Sequence, residues 1–220
     1  MSIDSAGTRA KAELDEVALG NPSFVWRFGQ DRRLNLIREH VALEGARILD
    51  IGCGLGKYVE KFREFTPDAF GLDIDAKRVR EGSANVPGLM LGVSEQLPFR
   101  DGSFDLVVLN EVIEHVGDDR RTMGEAHRVL RPGGHVAVYA PNRLYPFETH
   151  GIYLRGKYIF GNIPLVNWLP TALRNRLVPH ARAYTRRGIR KTYRGMGFVP
   201  AVETYVYPGF DNIIARHRRL

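Results

Sequence analysis

Ala46-Arg47-Ile48-Leu49-Asp50-Ile51-Gly52-Cys53-Gly54-Leu55-Gly56 is the stretch that decides the fold. An apolar run over 46–52 ends in three glycines at alternate positions. Residues 56–65 then set Tyr58, Val59, Phe62 and Phe65 at helical spacing. The pattern predicts a strand, a tight turn and a helix. Glycines at such a turn let the main chain bend sharply and let a ligand approach the backbone. A dinucleotide fingerprint, G-x-G-x-x-G, would require glycine at 57, where Lys57 stands. Here the third glycine comes one residue early, and Asp50 precedes the first by two.

The rest of the chain repeats the alternation. Residues 30–43 place Leu34, Ile37 and Val41 on one helical face. Strands are expected at 69–74, 88–93, 104–110 and 133–141, with a helix over 118–130 stopped by Arg131-Pro132-Gly133-Gly134. FDLVVLN (104–110) is nearly continuous in apolar character, as a strand covered on both faces should be. Strands alternating with helices imply βαβ units and a mostly parallel sheet. Residues 142–190 break the rhythm with Pro146, Pro164, Pro170, Pro179 and many aromatics and arginines, which predicts an insertion or lid after strand five. Residues 197–207 read as one more strand. The tail after it does not pattern as a strand pair, so either the last antiparallel strand is absent or the sequence is cut short of it.

The spacing D-x-G-x-G-x-G resembles motif I of the class I S-adenosylmethionine-dependent methyltransferases, and the resemblance runs over about residues 46–140. GLDID (71–75), SEQLPFRDGSFDLVV (94–108), NEVIEHV (110–116) and RVLRPGGHVAVYAPNR (128–143) are similar to further landmarks of that family, including its quinone-pathway members. The resemblance implies an α/β, Rossmann-like fold with helices on both faces of the sheet, and S-adenosyl-L-methionine as cofactor. It implies cofactor contacts from Asp50, Gly52, Gly54, Gly56, Asp73, Ile74 and Asn110. Asp73 would hold the ribose hydroxyls, with Asp75 as runner-up; a carboxylate accepts two hydrogen bonds from a vicinal diol. Where relatives carry an acidic residue after the third strand's glycine, Val93 follows Gly92, so adenine contact falls to Ser94 or Glu95.

One domain of 220 residues is expected: an N-terminal arm over the cofactor (1–30), a cofactor-binding core (44–141), a basic aromatic lid (142–194) and a C-terminal strand and tail (195–220). Within the arm, Phe24, Trp26 and Phe28, with Arg32 and Arg33 after them, either close over the methionine end or pack on the sheet. Cys53 has no second cysteine to pair with and no apolar leader opens the chain, which predicts a reduced, cytoplasmic protein.

Charge is uneven. Residues 1–150 hold 19 Lys/Arg against 23 Asp/Glu, and residues 151–220 hold 13 against 2. The basic third suggests an acidic partner or a merely solvated face. Three acceptor classes fit: a small hydroxylated metabolite or sugar, a lipid-linked molecule reached peripherally at the inner membrane surface, and a nucleic acid. Trp168 beside Leu165, Val166 and Leu169 suits an interfacial helix. The absence of a recognisable nucleic-acid module ranks the third class last.

Methyl transfer to a hydroxyl needs a proton acceptor. Glu148 and His150 directly follow strand five, and an unperturbed histidine titrates near 6.5. His150 is therefore the expected base, oriented by Glu148, with His115 as the alternative. Glu148 and His150 are too few to hold a metal, so none is expected. The competing readings are a nucleic-acid methyltransferase and a cofactor-binding partner protein without catalysis.

Overall fold

The computed structural model describes residues 28–206. Five strands, β1 (Ile48–Ile51), β2 (Ala69–Asp73), β3 (Leu89–Leu91), β4 (Phe104–Asn110) and β5 (Leu130–Tyr139), form one sheet in the order β3-β2-β1-β4-β5. Every ladder is parallel. The helices around it are α1 (Phe28–Arg38), α2 (Lys57–Phe62), α3 (Ala76–Ser83) and α4 (Asp119–Val129). The order reverses between β1 and β4, and the crevice beyond their carboxyl ends is where open α/β sheets bind ligands.

The two-residue period of a strand explains the layering. Ile48, Leu106 and Val108 pack with Leu34 and Ile37 of α1 and Tyr58, Val59 and Phe62 of α2. Leu49, Ile51, Val107 and Leu109 point the other way, into Met123, Ala126 and Val129 of α4. Both faces are thus covered, and β1 is buried at every residue. Truncating one of these leucines to alanine costs about 2–5 kcal/mol.

α3 fills the connection between β2 and β3, where no helix was expected. Asp75 caps it, its side chain accepting the Lys77 and Arg78 N–H groups. Asp75, the runner-up for the ribose, thus serves as the cap of this helix.

Beyond β5 the chain builds the lid from short antiparallel pairs. β6 (Phe147–Glu148) pairs with β9 (Ile163–Pro164), and β7 (Ile152–Leu154) with β8 (Lys157–Ile159). A 3-10 turn (Val166–Trp168) and helix α5 (Thr171–Leu177) complete it. Ile152, Val166, Val178 and Ala181 form a small core of its own, joined by Ile163, Leu169 and Leu177. Leu165 and Trp168 are exposed beside buried Val166, on a 3-10 turn and not on the continuous interfacial helix expected. No helix among the described residues is long and apolar enough to cross a membrane.

Three sequence expectations change. The lid stops short of 194, because α6 (Arg186–Tyr193) packs Ile189 and Tyr193, with Met196 and Phe198, on the α4 side of the main sheet. Residues 197–206 form no strand, so among the described residues β5 pairs only with β4. Residues 28–30 open α1 and do not belong to an arm; the rest of the expected arm, including Phe24 and Trp26, and the tail from 207 lie outside the described residues.

Candidate functional site

The turn after β1 is built from positive-φ glycines. Gly52, Gly54 and Gly56 sit at φ 72°, 54° and 80°. A Cβ at Gly52 would land 2.3 Å from Val112 Cγ2, so the turn lies directly against the segment following β4. Asp73, at the end of β2, binds the same turn: Oδ2 accepts the Gly54 N–H at 2.8 Å and Oδ1 the Asp75 N–H at 2.9 Å. Asp50 lies at the centre of β1 with 2% exposure. Burial, and then the charge of Asp73, push its carboxyl well above the usual range. Two neighbouring buried acids beside a glycine turn favour a ligand that carries positive charge. A sulfonium with an α-ammonium meets that demand, so the residues present fit S-adenosylmethionine.

The remaining expected cofactor residues scatter in role. Ile74 is exposed immediately beyond Asp73. The Ser94 hydroxyl is bonded to Glu95 Oε2 and Thr122 Oγ1. Glu95 Oε1 accepts the Gly117 and Asp118 N–H groups, fixing the loop before α4. Both Glu95 oxygens are thus engaged within the protein. Asn110 Oδ1 accepts from Arg33 at 2.6 Å, and Arg33 also pairs with Glu111 at 2.6 Å. That is where Arg33 is spent, at the end of β4.

The second half of the site is a cluster of histidines and carboxylates. Segment 111–116 leaves β4 with Glu111 at φ 58°, a left-handed conformation rarely adopted by a residue with a Cβ. The sharp turn brings Glu114 and His115 toward the lid. From the lid, His150 stands with its ring 5.2 Å from that of His115. Glu148 Oε1 accepts both the His150 backbone N–H and Nδ1–H at 3.0 Å. The other Glu148 oxygen takes Arg174 at 2.6 Å, with both side chains 1% exposed. The expected pairing of Glu148 with His150 is therefore present, and Arg174 anchors it.

Sequence reasoning missed Glu114, Arg174 and His180. Glu114 and His115 follow Glu111 at i+3 and i+4, a spacing that was available as a signal. Arg174 lies within the basic stretch after residue 150, and nothing in its sequence neighbourhood marks it as buried. The His180 carbonyl accepts from His115 Nδ1–H, and His180 Nε2–H donates to the His150 carbonyl, each at 3.0 Å.

The electrostatics follow from this packing. Burial opposes a charged His150, but Glu114 and Glu148 outweigh it and hold its pKa at about 9. Burial also works against ionised Glu148, yet the bonds from His150 and Arg174 bring it down to about 2. Glu111 is raised to about 7 by burial and by the Glu114 charge, against the pull of Arg33. His150 is thus mostly an imidazolium at neutral pH, which makes it a poorer lone base than its sequence suggests.

One ligand atom from each of Glu114, His115 and His150 lies within 4.8 Å of the others. The expectation that no metal is held counted only Glu148 and His150; the structure groups His150 with Glu114 and His115 and leaves Glu148 outside the cluster. The basic stretch from the lid through α6 is also less free than its composition implies. Arg182 donates to the Val116 and Gly117 carbonyls, Arg190 pairs with Glu203, and Arg186 stacks on Tyr205.

Residues 49–138 match the family described as a methyltransferase domain. A probable S-adenosylmethionine-dependent methyltransferase of Mycolicibacterium smegmatis is 35% identical over 117 residues, covering 51% of this chain and 46% of that protein. A demethylmenaquinone methyltransferase of Renibacterium salmoninarum is 29% identical over 200 residues, 86% of this chain and 79% of its own. The chain thus spans about half the length of the first of these. A solved S-adenosylmethionine dependent methyltransferase from Mesorhizobium loti shares the fold, with TM-score 0.60, 22% identity, and coverage of 84% of this chain and 89% of that one. The glycine turn and Asp73 at the end of β2 fall inside this matched methyltransferase domain, and the domain and its relatives imply S-adenosylmethionine as cofactor.

Proposed function

We propose that the protein transfers a methyl group from S-adenosylmethionine to a hydroxyl of a small or lipid-linked acceptor held between the glycine turn and the lid. The observation that carries this reading is the contact between the two halves of the site. The Gly52 turn abuts Val112, two residues before Glu114.

The cofactor, when bound, supplies a methyl group already activated on a sulfonium. Gly52 and Gly54 offer close approach to the backbone, and Asp73 is the acceptor for the ribose diol. Ile74, exposed beside it, offers an apolar surface to the adenine. Ser94 contributes to that end through its backbone, since its hydroxyl is taken. Asn110 and Glu111 are held by Arg33 at the mouth of β4. The lid covers the acceptor side and excludes water. The hydroxyl proton falls to the centre formed by Glu114, His115 and His150, with Glu148 fixing the ring of His150.

A lipid-linked acceptor is the favoured class. The lid exposes Leu144, Leu154, Ile159, Phe160, Leu165 and Trp168. Exposed apolar side chains in such number suit an acceptor with a hydrocarbon tail. The Renibacterium relative is by its name a methyltransferase acting on a demethylated menaquinone, which agrees with that class. Methyl transfer from labelled cofactor into hydroxylated quinone, sugar and RNA pools tests the reading. Label in the hydroxyquinone pool, lost in His150→Ala, supports it. Label in RNA alone would contradict it.

A further inference from the structure

We propose that Glu114, His115 and His150 form a binding site for one borderline divalent cation of the Zn2+ or Co2+ type. The proposal deepens the reading of this centre and rests on it for the purpose of the site, though not for the binding itself.

The donor set is one carboxylate oxygen and two imidazole nitrogens, which suits Zn2+ or Co2+ better than Mg2+ or Ca2+. The three ligand atoms already lie within 4.8 Å of one another. Small inward rotations would bring them to the roughly 2.0–2.2 Å that such cations require.

Glu114 supplies an independent observation. Its side chain has no exposure, and neither of its oxygens has a hydrogen-bond partner. His150 Nε2 stands 3.7 Å from Oε1, too far for a hydrogen bond. The charge of His150 offsets part of the cost of burying this carboxylate, but no donor reaches either oxygen, and a bound cation would fill that place.

The histidines are oriented as metal ligands are. His150 donates its Nδ1–H to Glu148, and His115 bonds the His180 carbonyl through Nδ1. Each bond commits Nδ1–H and leaves Nε2 to face a cation, the arrangement that outer partners impose around protein metals; His150 would release its Nε2 proton as the cation binds. These partners are themselves held: Glu148 by Arg174, and the Glu114 carbonyl by the Arg182 N–H at 3.0 Å. Three protein ligands leave at least one position for an acceptor oxygen, as catalytic sites do and structural sites do not. A cation here would supply Lewis acidity next to the glycine turn.

The test uses the full chain, stripped with a chelator and titrated with Co2+ alone, followed by calorimetry and visible absorption. One ion per chain with the absorption of a low-coordinate nitrogen–oxygen site is expected. Glu114→Gln should weaken binding at least tenfold, and His40→Gln, outside the cluster, should leave it unchanged. In wild-type protein labelled with 15N-histidine, Zn2+ should shift the Nε2 signals of His115 and His150, a readout that needs no variant to fold. No stoichiometric binding, equal affinity in a folded Glu114→Gln, or unmoved His115 and His150 signals would each overturn the proposal. S-adenosylhomocysteine binding by the stripped protein separates the two readings. If it persists while Co2+ fails to bind, the metal site falls and the methyltransferase reading stands.

Discussion

Arg174 and Glu148 form an ion pair at 2.6 Å with each side chain 1% exposed, and the second oxygen of the same carboxylate holds His150. One buried contact thereby ties the small core of the lid to the reactive centre. The Arg174 guanidinium is satisfied further by Asn167 Oδ1 and the Ala181 carbonyl. Removing it would leave one oxygen of this buried carboxylate without a partner, with His150 alone on the other.

Arg174→Met should therefore destabilise the lid by about 3–5 kcal/mol, the usual cost of breaking a buried pair from one side. Urea unfolding together with limited proteolysis of residues 142–185 measures it. Loss of lid protection with the sheet intact is expected; an unchanged proteolysis rate would show that the pair does not hold the lid.

Acid should act on the same contact. The folded pKa of Glu148, about 2, lies below its ordinary value. A group depressed in this way contributes stability in full above the unfolded pKa of about 4.3 and loses it as pH falls through the folded pKa. Lid protection should thus decline from about pH 4 toward pH 2, and Glu148→Gln should flatten that decline. An identical acid profile in the variant would assign the transition to other carboxylates.

Gly52→Ala should be costly for two separable reasons. Its φ of 72° strains any residue with a Cβ, and that Cβ would meet Val112 Cγ2 at 2.3 Å. The left-handed conformation alone costs about 1–2 kcal/mol. Adding Val112→Ala should restore the steric part and leave the backbone part. Denaturant midpoints of the two single variants and the double variant would show it as a positive coupling. Strict additivity would mean that the turn and the β4 segment are not in contact.

The fold was legible because its signals are local. The glycine turn, the period-two apolar strands and the Arg131-Pro132-Gly133-Gly134 stop each follow from neighbouring residues. The missed α3 needed only Asp75, a residue that looked like a ribose ligand and proved to be a cap. The strand expected at 197–207 failed for a different reason. Met196 and Phe198 are drawn onto the α4 side of the sheet, and this tertiary packing overrides an alternating pattern. In the site, Asp50, Asp73, His115, Glu148 and His150 could be picked out by motif. Their partners could not, since Arg174 and His180 reach them across 26 and 30 or more residues through the lid. A buried arginine within a basic stretch carries no sequence mark of its burial.

The central claim is that the turn at Gly52–Gly56 and Asp73 bind S-adenosylmethionine. Calorimetric titration of the full chain with S-adenosylhomocysteine tests it most directly. The account predicts one site per chain, with Asp73→Ala losing about 1.5–3 kcal/mol of binding through its charged hydrogen bonds and His150→Ala losing almost none. No heat and no thermal shift at millimolar ligand in the folded wild-type protein would contradict it.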